Sequence, residues 1–129
     1  MTREADPIKP TESELEILQV LWKHGACTVR QVHEELAKTK AVGYTTTLKL
    51  MQIMHEKGLV SRDASSKTHV YRAEADQQQT RQHFMNKLID NLFAGSASRL
   101  VMQALGSKQP NKAEIDVIKA YLNELEKKS

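Results

Sequence analysis

The spacing of apolar residues changes at Gly58, and this change constrains the fold of the chain more than any other feature. Ahead of Gly58, large apolar side chains recur every three or four residues, as they do in amphipathic helices. After it, residues 59–63 and 68–73 are β-branched, aromatic and alternating, and the small polar residues 64–67 lie between them. This pattern predicts an antiparallel hairpin that follows a set of helices.

Two capping boxes predict where the first two helices begin. Thr11 and Glu14, and again Thr28 and Gln31, have the spacing at which each side chain accepts a hydrogen bond from the backbone amide of the other residue. Gly25 is expected to end the first helix, because glycine adopts the conformation that closes a helix without steric cost.

A third helix is expected from about Tyr44 to Lys57, between a break at residues 41–43 and Gly58. Residues 27–29 could add a short third strand to the hairpin. Three helices followed by a two-stranded wing are the order of the winged helix-turn-helix fold, in which the third helix lies in the major groove of DNA. The predicted fold class is therefore mainly α with a small β-hairpin.

The third helix is predicted to have a core side and an outward side. At about 100° per residue, the side chains that face the core are Thr47, Leu50, Met51 and Met54. The outward side carries hydroxyl, amine and amide groups that match base edges and phosphates, and the wing tip adds a lysine. The residues predicted to bind DNA are Thr45, Thr46, Leu48, Lys49, Gln52, Lys67 and Thr68. The alternative is that these are ordinary solvated residues, with Thr45 or Thr46 capping the helix.

Basic residues concentrate on the predicted DNA side of the first domain. Residues 38–75 contain seven basic and three acidic residues, a net charge of +4, whereas residues 1–37 contain four basic and seven acidic residues, a net charge of −3. The net charge of +3 for the whole chain hides this polarity. Phosphate contacts supply much of the affinity of DNA-binding proteins, so the charge distribution favours a double-stranded DNA partner.

Residues 76–129 are predicted to form a helical domain that follows a DNA-binding domain of residues 1–75. One helix is expected to be interrupted at residues 94–96, a short helix to end at Gly106, and a last helix to begin with a capping box at Asn111. A module of this size buries little surface alone, so its apolar stripes are expected to pack against a second copy of the chain. A monomer that folds this tail back on the first domain is the alternative. The residues predicted for the homodimer interface are Phe84, Leu88, Leu92, Leu100, Val101, Ile115, Ile118 and Leu122.

Composition argues against several other classes of protein. No run approaches the roughly 18 apolar residues of a membrane span, and the first ten residues hold no apolar signal core, so a cytoplasmic protein without membrane insertion is expected. The single cysteine, Cys27, excludes an internal disulfide and is expected to lie in the core. The five histidines have no ligand spacing and there is no glycine-rich phosphate loop. No enzyme activity, metal or cofactor is therefore expected.

Several short segments stand out together. They are VGYTTTLKLM at residues 42–51, EKGLV at 56–60, VYRA at 70–73, ELEIL at 14–18 with LW at 21–22, and LFAGS at 92–96. This set resembles the penicillinase-repressor family (BlaI/MecI/CopY), over roughly residues 8–126 and most specifically in the third helix and wing. The resemblance implies a homodimeric repressor with a winged-helix domain and a helical dimerisation tail, which binds a palindromic operator and blocks transcription.

The resemblance also indicates how such a repressor would be released. In the antibiotic-resistance members, a membrane sensor protease signals β-lactam and the repressor is cleaved within its tail. The corresponding region is residues 100–104, where Gln103 and Ala104 replace the asparagine–phenylalanine pair of those members, which speaks against β-lactam induction. Copper sensing is not supported, since the tail lacks the paired cysteines of the copper-responsive members. Thr47 stands where the family usually has valine or isoleucine, and is tolerated if its hydroxyl bonds to a helix carbonyl.

Two alternatives to a proteolytically released repressor stay open at this point. One is a winged-helix domain that serves only as a protein–protein adaptor, which would share the core but not need a basic third helix. The other is a ligand-sensing repressor with a pocket between its tail and its DNA-binding domain.

Overall fold

The computed structural model describes residues 9–129. The described residues form six helices and three strands. In chain order these are α1 (Glu12–His24), β1 (Cys27–Thr28), α2 (Val29–Ala37), α3 (Tyr44–Lys57), β2 (Val60–Asp63), β3 (Val70–Ala73), α4 (Gln77–Leu92), α5 (Ala97–Ser107) and α6 (Lys112–Lys128). The expectation about a signal core rests mainly on residues 1–8, which lie outside the described residues.

Two compact units divide the chain, and the division falls inside α4, between Phe84 and Met85. The first unit contains α1, α2, α3, the three strands and the first half of α4. The second unit contains the second half of α4 with α5 and α6. The predicted domain boundary at Ala75 lies just ahead of α4 and stays a prediction about which segment folds independently.

Both predicted capping boxes are confirmed. At α1, the Glu14 amide donates to the Thr11 hydroxyl over 3.2 Å, and the Thr11 amide donates to the Glu14 carboxylate over 2.9 Å. At α2, the Gln31 backbone amide donates to the Thr28 hydroxyl over 3.1 Å, and the Thr28 backbone amide donates to the side-chain oxygen Oε1 of Gln31 over 2.8 Å. These bonds satisfy amides that a helix start otherwise leaves without partners, so each start is determined by local sequence.

Glycines end α1 and α3 as predicted. Gly25 has φ +81° and Gly58 has φ +83°, and a residue with a Cβ atom would be strained at these values. The Gly58 amide donates to the His55 carbonyl and the Leu59 amide to the Met54 carbonyl, which closes the last turn of α3. The predicted bounds of the third helix, from Tyr44 to Lys57, are confirmed.

The hairpin and the short third strand are also confirmed. The three strands form one antiparallel sheet in the order β1-β3-β2, in which Tyr71 lies opposite both Cys27 and Arg62. Tyr71 is buried at the centre of this sheet. Since β1 immediately precedes α2, its pairing with β3 places the start of α2 beside the wing.

The core of the first unit lies where α1, α2 and α3 pack on one another and on the sheet. Its buried apolar residues are Ile17, Leu18, Val20, Leu21, Cys27, Val29, Val32, Leu36, Met51, Met54, Leu59, Val60 and Tyr71. The predicted core position of Cys27 is confirmed, and burial, with a further contribution from the charge of Glu35, raises the pKa of its thiol. Leu50, predicted to face the core, is only half-buried at its margin.

Thr47 is fully buried in the core side of α3. Its hydroxyl donates to the Gly43 carbonyl over 3.2 Å, and the same carbonyl accepts the Thr47 backbone amide over 3.1 Å. The predicted bond back to a helix carbonyl is therefore confirmed, and it explains how a hydroxyl is tolerated among methionines.

The chain leaves the sheet through a hydrogen-bonded segment. The amides of Glu74 and Ala75 donate to the Leu59 carbonyl, and the Trp22 indole N–H donates to the Ala75 carbonyl over 3.1 Å. Asp76 then accepts the Gln79 amide over 2.8 Å at the start of α4. The beginning of α4 is thereby attached to α1 and the sheet.

The second unit follows the predicted pattern except at one glycine. The break after α4 is confirmed, with φ of +50° at Ala94 and +83° at Gly95, and the Asn111 capping box opens α6. The prediction that Gly106 ends α5 is wrong, because α5 continues to Ser107. Glycine inside a helix costs only about 1 kcal/mol relative to alanine, so without a positive φ it need not end one.

A membrane-crossing helix is not found among residues 9–129: none there has both the length and the apolar character that a span requires.

Candidate nucleic-acid interface

A cleft of about 360 Å³ lies between the start of α2, the exposed side of α3 and the wing. Every part of it belongs to the first unit. The residues that line it are Thr28, Val29, Arg30, Tyr44, Leu48, Gln52, Arg62, Lys67, Thr68, His69 and Tyr71. Three of these are basic and none is acidic, so the cleft has the charge that suits an anionic ligand.

The outward face of α3 continues from this cleft. Thr45, Lys49 and Gln52 are exposed, whereas Thr47, Met51 and Met54 are fully buried on the other side of the same helix. The predicted orientation of the helix therefore agrees with the structure. Hydroxyl, amine and amide groups on an exposed helix are donors and acceptors of the kind that read base edges. Thr46 is also exposed and Leu48 is half-buried.

Neither Thr45 nor Thr46 caps α3, so that alternative explanation of the threonines is wrong. The residue in the N-cap position is Gly43, and it makes no side-chain capping bond because it has no side chain. The first amides of α3 are thus left without a capping oxygen, and the positive end of the helix dipole faces outward there. The threonine hydroxyls at this end remain available for other partners.

The wing tip presents the two predicted residues Lys67 and Thr68. Both are exposed, and both line the cleft. The Ser65 amide donates to the Asp63 carboxylate over 2.9 Å, and the Ser66 hydroxyl donates to the Thr68 carbonyl over 2.8 Å, which shapes the turn. Hydrogen bonds from Ser65 hold the pKa of the Asp63 carboxyl below its ordinary value.

The structure brings together only part of the predicted set. Leu48, Gln52, Lys67 and Thr68 line the cleft, while Thr45, Thr46 and Lys49 lie on the exposed face of α3 outside it. The contact of any of them with DNA stays a prediction.

Arg30 and Tyr44 are cleft residues that sequence reasoning missed. Arg30 belongs to residues 1–37, which carry a net negative charge, and the sequence predicts Tyr44 only as the first residue of the third helix. The guanidinium carbon of Arg30 lies 5.9 Å from the centre of the Tyr44 ring, within the range of a cation–π contact. The sequence does contain a signal for Arg30. It lies in the first turn of the second helix, two residues after the cap Thr28, and in a winged-helix order this helix directly precedes the third helix.

Arg62 and His69 are two further cleft residues that are absent from the predicted set, and both belong to the wing. Arg62 lies on β2 and His69 immediately precedes β3. Arg62 is one of the seven basic residues of the segment 38–75, but the charge pattern does not predict where in the fold it lies. Its position depends on the pairing of β2 with β3, which places it opposite Tyr71.

The second unit contains a separate groove of about 580 Å³ between the end of α4 and α5. The residues that line it are Leu92, Phe93, Ala94, Ser98, Arg99, Met102 and Gln103. Both residues of the predicted cleavage pair, Gln103 and Ala104, are exposed on α5. Whether the chain is cut there remains a prediction.

The residues predicted for dimerisation lie at the surface or half-buried. Neither α5 nor α6 contains a buried residue. The exposed members of the set are Leu88, Leu92, Val101 and Leu122, and the half-buried members are Phe84, Leu100, Ile115 and Ile118. Other large apolar residues of these helices are also exposed, among them Met102 at 72% and Val117 at 70%.

Comparison with known proteins identifies relatives along most of the chain. A family model described as "Penicillinase repressor" matches residues 10–124. A penicillinase repressor of Bacillus licheniformis is 23% identical over 114 residues, which cover 88% of this chain and 89% of that relative. A penicillinase repressor of Staphylococcus aureus is 20% identical over 116 residues, which cover 90% and 92%.

A solved DNA-binding domain is similar to about half of this chain. It is the solution structure of the DNA binding domain of the repressor BlaI, which is 25% identical and has a TM-score of 0.50. The match covers 56% of this chain and 88% of the solved one. It supports the winged-helix description of the first unit.

Proposed function

This chain belongs to the penicillinase-repressor family, and we propose that it is a DNA-binding transcriptional repressor that reads a specific sequence. The family model confirms the resemblance predicted from the sequence. The observation that carries the proposal is that polar side chains of α3 face outward beside a cleft with basic and no acidic walls. Sequence-specific binding needs contacts with base edges, which the α3 side chains would make, and contacts with phosphates, which the basic cleft would make.

In this proposal α3 enters the major groove. Lys49 and Gln52 reach base edges, the threonine hydroxyls of Thr45 and Thr46 contact bases or phosphates, and the Leu48 methyls meet a thymine methyl. Lys67 and Thr68 contact the phosphate backbone from the wing. The structure supports this arrangement because every one of these side chains is exposed or half-buried while the opposite side of α3 is in the core.

We propose that the functional unit is a homodimer held by the second unit. The support is energetic: helices α5 and α6 leave large apolar side chains in water, Met102, Val117 and Tyr121 among them. Each fully buried side chain of this kind contributes about 1.5–3 kcal/mol, so pairing with a second copy offers a large gain. Two copies related by a twofold axis would place two α3 helices about 34 Å apart on a palindromic operator.

Release from DNA would follow from loss of the dimer. Two linked half-sites bind more tightly than one because the second contact is intramolecular, and this factor disappears when the link is cut. A sensor protease that cuts near the exposed pair Gln103 and Ala104 would separate the halves in this way. Occupancy of the operator by the intact dimer would exclude polymerase, and both events would take place in the cytoplasm.

The proposal is tested by selecting duplexes from a random pool with the purified protein and then titrating the enriched duplex at rising salt. Specific binding predicts enrichment of a palindrome, and affinity that falls steeply between about 50 and 200 mM salt. A duplex of unselected sequence serves as the control. Failure to enrich any sequence, with no retardation of the unselected duplex at about 50 mM salt, would contradict the proposal and favour a protein–protein adaptor.

A further inference from the structure

We infer that Arg30, held by Tyr44, binds a phosphate of the DNA backbone from α2, so that the first unit grips the DNA strand from both sides of the cleft. The inference rests on the proposed function and adds a contact from a helix that this function does not use. Its starting point is the cleft, whose walls carry Arg30 on one side and Arg62 and Lys67 on the wing side.

These three cations have no acidic partner in the part of the chain that the structure describes. Within residues 9–129, no carboxylate lies within ion-pair distance of Arg30, Arg62 or Lys67, although ion pairs occur elsewhere on the same unit, such as Lys40 with Glu16. Cations that line one cleft without a carboxylate repel one another. A bound phosphodiester would relieve this repulsion at the place where the cleft opens to solvent.

The Tyr44 ring lies beside the Arg30 guanidinium. His33, one turn after Arg30 on α2, contacts the same ring edge to face, with centroids 5.7 Å apart and planes at 82°. Tyr44 is also the first residue of α3, so its ring joins two turns of α2 to the start of the proposed reading helix. The Arg30 side chain is consequently positioned relative to α3 before any ligand binds.

The contact with the ring leaves the donors of Arg30 available. A cation–π contact uses none of the guanidinium N–H groups as hydrogen-bond donors to a protein acceptor, so they can donate two parallel bonds to phosphate oxygens. Tyr44 is 43% exposed, so this pair lies at the surface and not in the core. Phosphate contacts of this kind carry no sequence information but set the register of the reading helix.

The test compares Arg30→Ala with Lys49→Ala on two probes, the duplex enriched by the wild-type protein and a duplex of unselected sequence. Arg30→Ala is expected to weaken binding to both duplexes by a similar factor, about tenfold, and to lower the salt slope by about 1. Lys49→Ala is expected to weaken the enriched duplex more than the unselected one. Lys23→Ala, which removes one exposed charge from α1, is the matched control. Its affinity for each of the two duplexes should stay close to the wild-type value.

Two further variants examine the role of the ring. Tyr44→Phe keeps the ring that Arg30 contacts and should bind as the wild type does, whereas Tyr44→Ala should lose affinity for both duplexes. Arg30→Lys keeps the charge but not the planar fork, so it should restore the salt slope while recovering only part of the affinity. Because Arg30→Lys and Tyr44→Phe change the fold least, they decide the matter if an alanine variant fails to fold.

Three outcomes would overturn the inference. If Arg30→Ala binds both duplexes as the wild type does, the α2 contact is absent, while the proposed function survives because the wild-type protein still binds its enriched duplex. If the wild type enriches no duplex and does not retard the unselected one, the inference and the proposed function fail together. If Arg30→Ala weakens binding to the enriched duplex but leaves binding to the unselected duplex unchanged, Arg30 contacts a base and not the phosphate backbone.

Discussion

The Lys57 ammonium lies 2.9 Å from both carboxylate oxygens of Glu14, whose side chain is only 2% exposed. The pair joins the last turn of α3 to the first turn of α1. Glu14 at the same time accepts the Thr11 amide and donates its own amide to the Thr11 hydroxyl. One buried carboxylate therefore closes a helix cap and attaches the proposed reading helix to the rest of the unit.

We expect Lys57→Met to lower the free energy of unfolding by about 2–3 kcal/mol, because it leaves the Glu14 carboxylate buried without its cation. The double variant Lys57→Met with Glu14→Gln should recover part of this loss, since no charge is then buried alone. Chemical denaturation of the three proteins at neutral pH measures both values. Equal stability of Lys57→Met and the wild type would show that the ion pair contributes nothing.

The same carboxylate predicts a pH dependence of stability. Burial works to raise the pKa of Glu14, but hydrogen bonds from the Thr11 amide and from Lys57, together with the charge of Lys57, outweigh it and lower the pKa below its ordinary value of 4.5. The unfolded chain therefore takes up the proton at a higher pH than the folded chain. The stabilisation is complete above the unfolded-state pKa and is lost as pH falls through the folded-state pKa.

Glu14→Gln should accordingly flatten the loss of stability on acidification. The wild-type free energy of unfolding is expected to fall more steeply than that of the variant from about pH 5 downward. Denaturant titrations at several pH values give the two curves. Parallel curves for the two proteins would mean that another carboxylate controls the acid response.

Thr47→Val tests the buried hydroxyl of α3. The Gly43 carbonyl keeps the Thr47 backbone amide as its donor, so replacement of the hydroxyl by a methyl group leaves no buried group without a partner. We expect the variant to be about 0.5–1 kcal/mol more stable than the wild type. Thr47→Ala, which leaves a void instead, should be less stable than the wild type. A large destabilisation by valine would show that the hydroxyl is needed for packing.

Lys49→Ala should weaken binding to the enriched duplex by about tenfold or more, because Lys49 faces outward from α3 and is proposed to contact a base edge. Its melting temperature should stay within about 2 °C of the wild-type value, as expected for an exposed residue. Gel retardation and thermal denaturation provide the two readouts. Early melting of the variant would instead assign Lys49 a structural role.

A fragment that ends at Phe84 is expected to fold and to sediment as a monomer. It retains Trp22, Ala75 and the buried Thr80, which tie the start of α4 to the first unit. Its affinity for the palindrome should fall by about 10²–10⁴, the factor lost when two half-sites are no longer linked. Analytical ultracentrifugation and gel retardation measure both properties.

Full-length Leu122→Glu is the companion to that fragment. It places a charge at an exposed apolar position of α6 and should also give a monomer with weakened operator binding, while the first unit keeps its fold. A dimeric Phe84 fragment, or a Leu122→Glu variant that remains a dimer, would refute the proposed role of the second unit.

The boundaries of the helices could be predicted because they depend on residues close together in the chain. Thr11 with Glu14, and Thr28 with Gln31, satisfy helix amides three residues away, and Gly25 and Gly58 supply the positive φ that ends a helix. Gly106 shows the limit of this reasoning, since a glycine ends a helix only where the backbone adopts that conformation. The orientation of α3 was predictable for the same local reason, because helical geometry alone assigns Thr47 and Lys49 to opposite sides.

Contacts between distant segments could not be predicted in this way. Glu14 was predicted only as half of a capping box, yet it pairs with Lys57, which lies 43 residues further along the chain. Arg30 was grouped with an acidic segment, although β1 pairs with β3 and places the start of α2 against the wing. The net charge of a segment combines residues that lie far apart in the folded protein. It also assigns to different segments residues, such as Arg30 and Lys67, that line the same cleft.

The amino-acid sequence by itself determined the order of helices and strands, their caps and the outward face of α3, because these follow from interactions within one helical turn or one hairpin. Only the tertiary structure decided which cations share the cleft and which carboxylate is buried. Those outcomes depend on how α2, α3 and the wing pack, and packing sums many weak apolar contacts across the whole unit that no short segment encodes.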